Sequence, residues 1–336
     1  MTPLEKEIAG EIRRSGPITF RRFMELALYH PEHGYYQRPR DPFGVEGDFY
    51  TNSQLQPVWG RLLAQQIEQW CGEMGAPPNF TVVEMGAGRA ETSAEIQRWL
   101  PAARCIAVDV SSGKLPEKFS GVVVCNEFFD ALPAHSIERR GKSLVEHHVA
   151  LGESGFEWLQ GEPSNPGLLD YMERFTLRLA EGQKTEANLA ALDQLERIAS
   201  SLEAGYLLTI DYGYTVEEIA GGRRFPKGSL MAYQKHQATE DVLADPGNCD
   251  LTAHVNFTAL AERGEELGLA AAPLVTQMRF LMELGEQDNF AAALGAGEAG
   301  NEAEDNLKHR MQLKTLLFGM GETFQVLVQR KQSSGR

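Results

Sequence analysis

The chain has 336 residues, of which 42% are hydrophobic, and its formal net charge is −15 at pH 7. This hydrophobic content is enough for a sizeable core, either in one large α/β domain with insertions or in two domains. The acidic balance excludes nucleic acid as the expected partner, because phosphate backbones are bound by clustered Lys and Arg. We therefore interpret the acids as a solvating surface.

Targeting and metal signals are absent from the sequence. No apolar run approaches the roughly 18 residues that a membrane-spanning helix needs, and the start, MTPLEKEIAGEIRRSG, lacks the apolar core of a signal peptide. We therefore expect a cytoplasmic protein without a membrane span. The four cysteines are far apart and form no CxxC pair, so we expect neither a structural disulfide nor a bound metal.

The N-terminal part is predicted to be helical over residues 1–30, because its apolar residues recur at helical spacing. A long loop rich in Gly, Pro and aromatic residues follows, from HPEHGYY through RDPFGVEGDFYTN, and a loop of this length either lies over a neighbouring element or is disordered. A second helix is predicted from about Gln56 to Met74. Residues 1–76 should thus form a helical region with a covering loop.

Strands and helices alternate from residue 77 onward. TVVEMG, RCIAVDV and GVVVCNEFF have the short Val- and Ile-rich runs of parallel strands that are buried on both faces, and a helix to Leu100 follows the first run. Residues 135–151 are predicted to form two strands joined by a Gly-Lys turn. Residues 166–202 are predicted to form one or two polar-faced helices, and GYLLTIDYGY a further buried strand.

The remaining residues complete an α/β domain. SLMAYQKH should be extended and NFTALAERGEELGL an amphipathic helix, and after the low-complexity stretch AALGAGEAGNEAEDN we expect a helix to Phe318 and a closing strand, FQVLVQRK. The predicted domain spans residues 77–331, with a helical insertion at about 164–203 and a short tail at 332–336.

The glycine-rich turn in TVVEMGAGRAETSAEI indicates a cofactor site. A dinucleotide site has the pattern GxGxxG, but here Glu91 occupies the third glycine position, where its charge would repel a diphosphate. S-adenosylmethionine carries no phosphate, and its ammonium group can meet Glu84 while Gly86 and Gly88 let the backbone approach the ligand. The alternative is a turn that only joins a strand to a helix.

Two further strand ends carry polar residues. Asp109 ends the next strand, 21 residues after Gly88, which is close to the ~20 residues expected for a carboxylate that binds ribose hydroxyls. In CNEFFDALPAH, Asn126, Glu127 and Asp130 follow an apolar run directly. Ligands of open α/β sheets bind at the carboxyl ends of strands, which makes these residues site candidates. For Asn126 and Asp130 the alternative is capping of the next helix.

Six motifs resemble, in this order, those of the MidA family of class I methyltransferases: GDFYTNSQLQPVWG, VVEMGAGRA, NEFFDALPAH, LLTIDYGY, ADPGNCDLTAHVNFTAL and MGETFQVLVQRK. The resemblance covers nearly the whole chain, from about Pro3 to Lys331. The family includes a mitochondrial complex I assembly factor that dimethylates an arginine of a complex I subunit. The resemblance implies a seven-stranded, mostly parallel Rossmann-like sheet that binds S-adenosylmethionine over the glycine turn and Asp109, with Asn126 at the cofactor and an acceptor pocket beside it.

The chain departs from the pattern of this family at several positions. Ala90 replaces the last glycine of the turn, and Asn52-Ser53-Gln54 replaces Ser-Pro-Glu. Between Asp109 and the next strand the chain has only VSSGKLPEKFS, where relatives carry a helix and an acid that would contact adenine. A parallel crossover usually takes a dozen residues or more, so this one is at the minimum.

Methyl transfer from a sulfonium is an in-line displacement that depends mainly on positioning. Paired carboxylates match a planar guanidinium and localise its charge, so that one nitrogen becomes a better nucleophile. Glu127 and Asp130 are therefore predicted to hold an acceptor arginine. Asp250 and His254, four residues apart in DLTAHV, can face the same pocket, with Asp250 binding substrate and His254 taking the released proton. The alternative for His254 is an ordinary hydrogen-bonded histidine.

Three functions are consistent with the sequence. The first is an S-adenosylmethionine-dependent methyltransferase that acts on an arginine of a protein, with a respiratory complex I subunit as the narrower candidate. The second is an assembly chaperone that binds its partner and has lost turnover, which the short segment 110–121 would allow. The third is a dinucleotide oxidoreductase, against which Glu91 argues.

Overall fold

The computed structural model describes residues 1–37, 51–110, 112–175, 179–222, 224–295 and 303–333. Most of the predicted covering loop, residues 38–50, lies outside the described residues, as do residues 296–302 of the low-complexity stretch and the last three residues of the predicted tail. Among the helices that are described, none combines the length and the apolar character that crossing a bilayer requires.

The first helix begins at a capping signal that the sequence supplies. The Thr2 hydroxyl accepts a hydrogen bond from Glu5 N, and the Glu5 carboxylate accepts one from Thr2 N. Such reciprocal bonds satisfy N–H groups that the first turn leaves open. In chain order the described helices are α1 (Pro3–Ser15), α2 (Phe20–Tyr29), α3 (Val58–Glu73), α4 (Glu91–Trp99), α5 (Pro166–Phe175), α6 (Leu189–Ser201), α7 (Val216–Ile219), α8 (Phe257–Glu266), α9 (Gln277–Gly285) and α10 (Ala303–Lys314).

Some of the strands coincide with the apolar runs of the sequence, and several others lie where the sequence has no such run. In chain order they are β1 (Ile18–Thr19), β2 (Thr81–Met85), β3 (Arg104–Val108), β4 (Phe119–Asn126), β5 (His135–Arg140), β6 (Ser143–Leu151), β7 (Phe156–Gly161), β8 (Lys184–Ala187), β9 (Leu202–Tyr214), β10 (Met231–Gln234), β11 (Gln237–Thr239), β12 (Asp250–Thr252), β13 (Val255–Asn256), β14 (Leu269–Ala271), β15 (Val275–Thr276) and β16 (Phe324–Lys331).

The chain forms two compact units, each built from three segments. Unit 1 consists of Met1–Tyr50, Phe129–Asp193 and Tyr214–Ala259, and unit 2 of Thr51–Phe128, Gln194–Gly213 and Leu260–Arg336. The division into these units does not fall between residues 76 and 77, and the domain boundaries predicted from the sequence stay a prediction.

Unit 2 contains a mixed sheet in the order β14–β16–β9–β4–β2–β3, with β15 also pairing with β16. β2 is parallel to β3 and β4, and β4 is parallel to β9. β16 is antiparallel to β9, β14 and β15. The predicted α/β class is therefore confirmed, and the antiparallel pairs are confined to the strands of the C-terminal segment.

The core of unit 2 covers this sheet unevenly. α3 and α9 supply apolar side chains that pack with those of β2, β4 and β9. β3 was expected to be buried on both faces, and this is wrong, because its residues are exposed or half-buried. Within the described part of residues 109–118, between β3 and β4, the chain forms no helix that could cover the edge strand.

Unit 1 contains an antiparallel sheet in the order β1–β6–β5–β8, with β7 pairing with β6. The predicted hairpin over residues 135–151 is confirmed by the pairing of β5 with β6. Two helices, α5 and α6, are present within residues 166–202 as predicted, but the prediction missed β8, which separates them and pairs with β5. Strand pairing outweighs local preference here, since Thr185, Glu186 and Ala187 are buried in the sheet.

Candidate active site

The turn between β2 and α4 has an unusual backbone conformation. Gly86 has φ 67° and Gly88 has φ 51°, values in the left-handed region that glycine adopts without steric cost. Ala90, at the N-cap of α4, also has a positive φ of 57°. This conformation explains why a glycine suits that position better, since a left-handed alanine costs roughly 1–2 kcal/mol.

Asp109, at the end of β3, lies against this turn. Its Oδ2 accepts a hydrogen bond from Gly88 N at 2.6 Å, and its Oδ1 accepts one from Val110 N at 2.6 Å. The structure thus brings together two residues that the sequence predicted for one site from their spacing. Val110, the next residue, is a large apolar side chain that is 50% exposed.

Glu84 is buried beneath the same turn. Its Oε2 accepts hydrogen bonds from Ser93 N at 3.0 Å and from Ser93 Oγ at 2.5 Å. Burial raises the pKa of Glu84 to about 7, the Asp109 charge adds to this rise, and hydrogen bonds from Ser93 and Thr92 oppose it. The carboxylate therefore caps the first turn of α4 and is close to its titration point at neutral pH.

Glu127 directly follows β4 and has a strained backbone. Its φ is 51°, which a non-glycine residue rarely adopts, and its N–H donates to Ile210 O at 2.9 Å. One carboxylate oxygen, Oε1, accepts from Asn126 Nδ2 at 3.1 Å and from Asn52 N at 3.2 Å. Such outliers cluster at functional sites, where the surrounding structure holds them in place.

Two fully buried amides, Asn52 and Gln277, stand behind Asn126. Asn52 Nδ2 donates to Asn126 Oδ1 at 3.0 Å and to Gln277 Oε1 at 2.8 Å. Neither residue was predicted from the sequence as part of the site. The sequence could have indicated Asn52, because it occupies a position where the family pattern has a serine. Nothing in the sequence indicated Gln277.

Gln54, in the same 3-10 turn as Asn52, has an unsatisfied side chain. Both of its polar atoms, Oε1 and Nε2, are buried, and neither has a hydrogen-bond partner among the described residues. An unpaired buried amide costs about 1–3 kcal/mol. A ligand with a donor and an acceptor of its own would remove that cost.

The remaining predicted residues lie in unit 1. Tyr36 donates from its hydroxyl to Asp250 Oδ1 at 2.9 Å. Burial raises the pKa of Tyr36, and the charges of Asp250 and Asp130 add to the rise, so the two carboxylates lie near one hydroxyl. Burial raises the pKa of Asp130 to about 7. The structure therefore brings Asp130 and Asp250 together within one unit, while Glu127 belongs to the other.

His254 is also in unit 1, and its side chain is half-buried. Its backbone N–H donates to Ser229 Oγ at 2.9 Å, and its ring lies edge-on to Phe225 at 4.7 Å between centroids. Burial and the charge of Arg224 lower the His254 pKa to about 4. The ring is thus neutral at physiological pH and is a weak base.

The residues of unit 2 suit S-adenosylmethionine. The glycine turn presents backbone that carries no side chains at Gly86 and Gly88, and Gln54 offers an unsatisfied donor and acceptor. Glu84 and Asp109 are carboxylates of the type that binds an ammonium group or ribose hydroxyls. Within the part of the chain that is described, no group of three or more His, Cys, Asp or Glu residues is arranged to hold a metal ion.

Comparison with known proteins identifies related methyltransferases. The family model of S-adenosyl-L-methionine-dependent methyltransferases matches residues 97–275. Mitochondrial protein arginine methyltransferase NDUFAF7 of Danio rerio is 26% identical, covering 95% of this chain and 85% of the relative. The Caenorhabditis elegans homologue is 27% identical, covering 84% and 76%. A crystal structure from Burkholderia thailandensis, bound to S-adenosyl-homocysteine, is 27% identical with a TM-score of 0.85, covering 99% of this chain and 92% of that one.

These findings test several expectations. The expectation of a cytoplasmic location is wrong, because the related arginine methyltransferases are named as mitochondrial proteins. The predicted methyltransferase fold, activity and cofactor are confirmed, since family model and solved structure agree and the matched segment exceeds half the chain. The chain belongs to the family of S-adenosyl-L-methionine-dependent methyltransferases.

Proposed function

We propose that this chain transfers a methyl group from S-adenosylmethionine to an arginine of a protein, and that Glu127 holds the guanidinium of that arginine. The observation that carries the proposal is the strained Glu127, whose Oε1 is held by two N–H groups at the carboxyl end of β4. The names of the relatives support the acceptor class. The narrower proposal, an arginine of a respiratory complex I subunit, is supported by the motif resemblance alone.

We assign the cofactor to the turn between β2 and α4. S-adenosylmethionine, when bound, supplies the methyl group on a sulfonium. Gly86 and Gly88 would admit the ligand, Glu84 would hold its ammonium group and Asp109 its ribose hydroxyls, and Asn126 would be a further cofactor contact. The half-exposed Val110 would offer apolar surface to the adenine ring.

Glu127 prepares the acceptor in two ways. A carboxylate matches the guanidinium in a bidentate geometry, which fixes the orientation of the acceptor nitrogen. It also draws the positive charge toward the nitrogens that it binds, so that the remaining nitrogen attacks more readily. Asp130 and Asp250, which lie together in unit 1, stay proposed as substrate-binding residues. His254 has less support as proton acceptor, because its pKa of about 4 makes it a weak base.

The substitution Glu127→Gln tests the role of this residue. It keeps the shape and the accepting oxygen but removes the charge. Loss of one partner of a desolvated ion pair typically costs ~3–5 kcal/mol, which corresponds to a rate loss of roughly two to three orders of magnitude or more. The measurement is transfer of labelled methyl groups from S-adenosylmethionine into a protein extract, alongside calorimetric titration of the cofactor.

The matched control is Glu203→Gln, which removes a charge from an exposed position on β9. The control should transfer normally, and Glu127→Gln should bind the cofactor with nearly unchanged affinity. Normal transfer by Glu127→Gln, or loss of cofactor binding together with transfer, would show that the assigned role is wrong.

A further inference from the structure

Asn52 and Gln277 form a reciprocal amide pair in the interior of unit 2. Asn52 Nδ2 donates to Gln277 Oε1 at 2.8 Å, and Gln277 Nε2 donates to Asn52 Oδ1 at 3.1 Å. Both side chains are 0% exposed. Buried amides of this kind are stable only if each donor and acceptor faces the right partner, because an unsatisfied group is costly.

The backbone carbonyl of Leu316 sets the orientation of this pair. Gln277 Nε2 donates its second hydrogen to Leu316 O at 3.1 Å. A carbonyl oxygen can only accept, so the NH₂ group of Gln277 must point toward it. With the NH₂ group of Gln277 in this orientation, Gln277 Oε1 faces Asn52. The side chain of Asn52 must then present its NH₂ group to that oxygen.

The orientation is passed on to Asn126. The second hydrogen of Asn52 Nδ2 goes to Asn126 Oδ1 at 3.0 Å, so the NH₂ group of Asn126 is left to face Glu127 Oε1 at 3.1 Å. A reversed Asn126 would set its oxygen against the carboxylate. The Leu316 carbonyl thus determines how all three side-chain amides are oriented. The last of them, that of Asn126, therefore directs its NH₂ group at the Glu127 carboxylate.

We propose that Gln277 and Asn52 are positioning residues that fix the plane of the Glu127 carboxylate for the acceptor guanidinium. The backbone N–H of Asn52 supplies the second donor to the same oxygen at 3.2 Å, so both contacts depend on where Asn52 is held. A bidentate pair needs a fixed carboxylate plane. The inference rests on the proposed role of Glu127 and adds two residues from remote segments of the chain.

The main variant is Gln277→Met, which keeps the length of the side chain but can neither donate to Leu316 nor orient Asn52. We expect the rate of methyl transfer at a limiting concentration of extract protein to fall roughly 10- to 100-fold. A misplacement of about 1 Å in an active site can lower the rate about 10²-fold. Cofactor affinity should fall less than the transfer rate does, because Asn126 is the only one of the three amides that is proposed to contact the cofactor. The apparent KM for extract protein should rise more than the maximal rate falls.

The matched control is Gln329→Met. Gln329 is also 0% exposed and donates from Nε2 to a backbone carbonyl, that of Leu260, at 3.2 Å. The variant Gln329→Met should transfer methyl groups normally. It should lose less stability in thermal unfolding than Gln277→Met, because Gln329 Oε1 is buried without a hydrogen-bond partner among the described residues. Asn52→Ser is the second variant, since a serine keeps a small polar side chain in the turn but is too short to reach Gln277 and Asn126 together.

A double-mutant cycle separates this inference from the proposed function. If Gln277 acts through Glu127, Gln277→Met should have almost no further effect in the Glu127→Gln background. An equal loss in both backgrounds, or no loss in either folded variant, Gln277→Met or Asn52→Ser, would overturn the positioning role alone. Normal transfer by Glu127→Gln by itself would overturn the role of Glu127 and this inference with it.

Discussion

Glu84 and Glu127 are both carboxylates beside strand ends of unit 2, but their surroundings give them different chemistry. Glu84 is buried beneath the glycine turn, and burial raises its pKa to about 7. Glu127 is half-buried in a strained conformation, and N–H donors from Asn52 and Asn126 hold one of its oxygens. The first is suited to respond to a ligand's charge, and the second to hold a cation in a fixed orientation.

The affinity for S-adenosylmethionine should depend on pH through Glu84. The folded pKa of about 7 exceeds the ordinary value of 4.5, so between these values the folded chain holds a proton that the unfolded chain has lost. The free energy of unfolding therefore falls as pH rises through this window. An ammonium group favours the ionised carboxylate, so affinity should rise up to about tenfold per pH unit below about pH 7.

Calorimetric titration of S-adenosylmethionine between about pH 5.5 and 8.5 measures this dependence. Above about pH 8 affinity should fall again, as the α-amino group loses its own proton. Glu84→Gln should abolish the rise below pH 7. If wild-type affinity is flat from pH 5.5 to 7, Glu84 does not meet the ammonium group.

Gly88→Val should abolish binding of S-adenosylmethionine. Gly88 has φ 51° and donates its N–H to Asp109, so a branched side chain would both strain the turn and enter the ligand's path. Gly75→Val is the matched control, because Gly75 has φ 76° with open space around it. Both variants should lose roughly 1–2 kcal/mol of stability, but only Gly88→Val should lose the cofactor in titration. Retained affinity in that variant would contradict the site.

Among the elements, the sheet of unit 2 has glycines where the backbones of neighbouring strands come into close contact. Thr81 of β2, Gly121 of β4 and Gly205 of β9 lie side by side in the register. A Cβ on Gly205 would lie 1.8 Å from Gly121 O, and a Cβ on Gly121 would lie 1.9 Å from Thr81 O. The three strands can therefore keep this register only with glycine at both positions.

Gly205→Ala should lower the free energy of unfolding by roughly 3 kcal/mol or more, because backbone atoms of β4 must move and cannot rotate away. Gly268→Ala is the control, since Gly268 also has a positive φ, 80°, but nothing lies near its Cβ position. That variant should lose only about 1–2 kcal/mol. Urea unfolding of the two variants measures the difference, and equal losses would show that the strand contact is not limiting.

The elements that could be predicted are those whose signal is local. The apolar runs predicted β2, β4 and β9, and the spacing of Asp109 from the glycine turn was sufficient to predict that the two lie together, where the cofactor is proposed to bind. β8 was missed because its pairing with β5 comes from a distant segment. The edge position of β3 was missed because burial depends on a covering helix, and the chain lacks one among the described residues that follow it.

The amide series behind Glu127 could not be predicted for the same physical reason. Asn52 and Gln277 are 225 residues apart and have no pattern in the sequence that relates them. Their proposed positioning role depends on which amide atoms donate and which accept, and these hydrogen bonds form only once the segments are packed together. Family resemblance implied the cofactor residues, but it gave no indication of what orients the proposed acceptor residue.

At the scale of the whole molecule, each compact unit is assembled from three separated segments. The residues proposed for the cofactor and for Glu127 all belong to unit 2, and Asp130, Asp250 and His254 belong to unit 1. The relatives match most of the chain, so the similarity spans segments of both units. The methyltransferase activity is therefore a property of the full chain, and experiments on it should use the full chain.

Identification of the methylated amino acid tests the central claim most directly. The full chain is incubated with methyl-labelled S-adenosylmethionine and a protein extract, and the labelled protein is hydrolysed and its amino acids are separated. We predict that the label is recovered as methylarginine, and that Glu127→Gln binds the cofactor but yields at least roughly 100-fold less of it. Label in another amino acid, or bound cofactor without transfer to any protein, would contradict the account, and the latter result would favour an assembly chaperone.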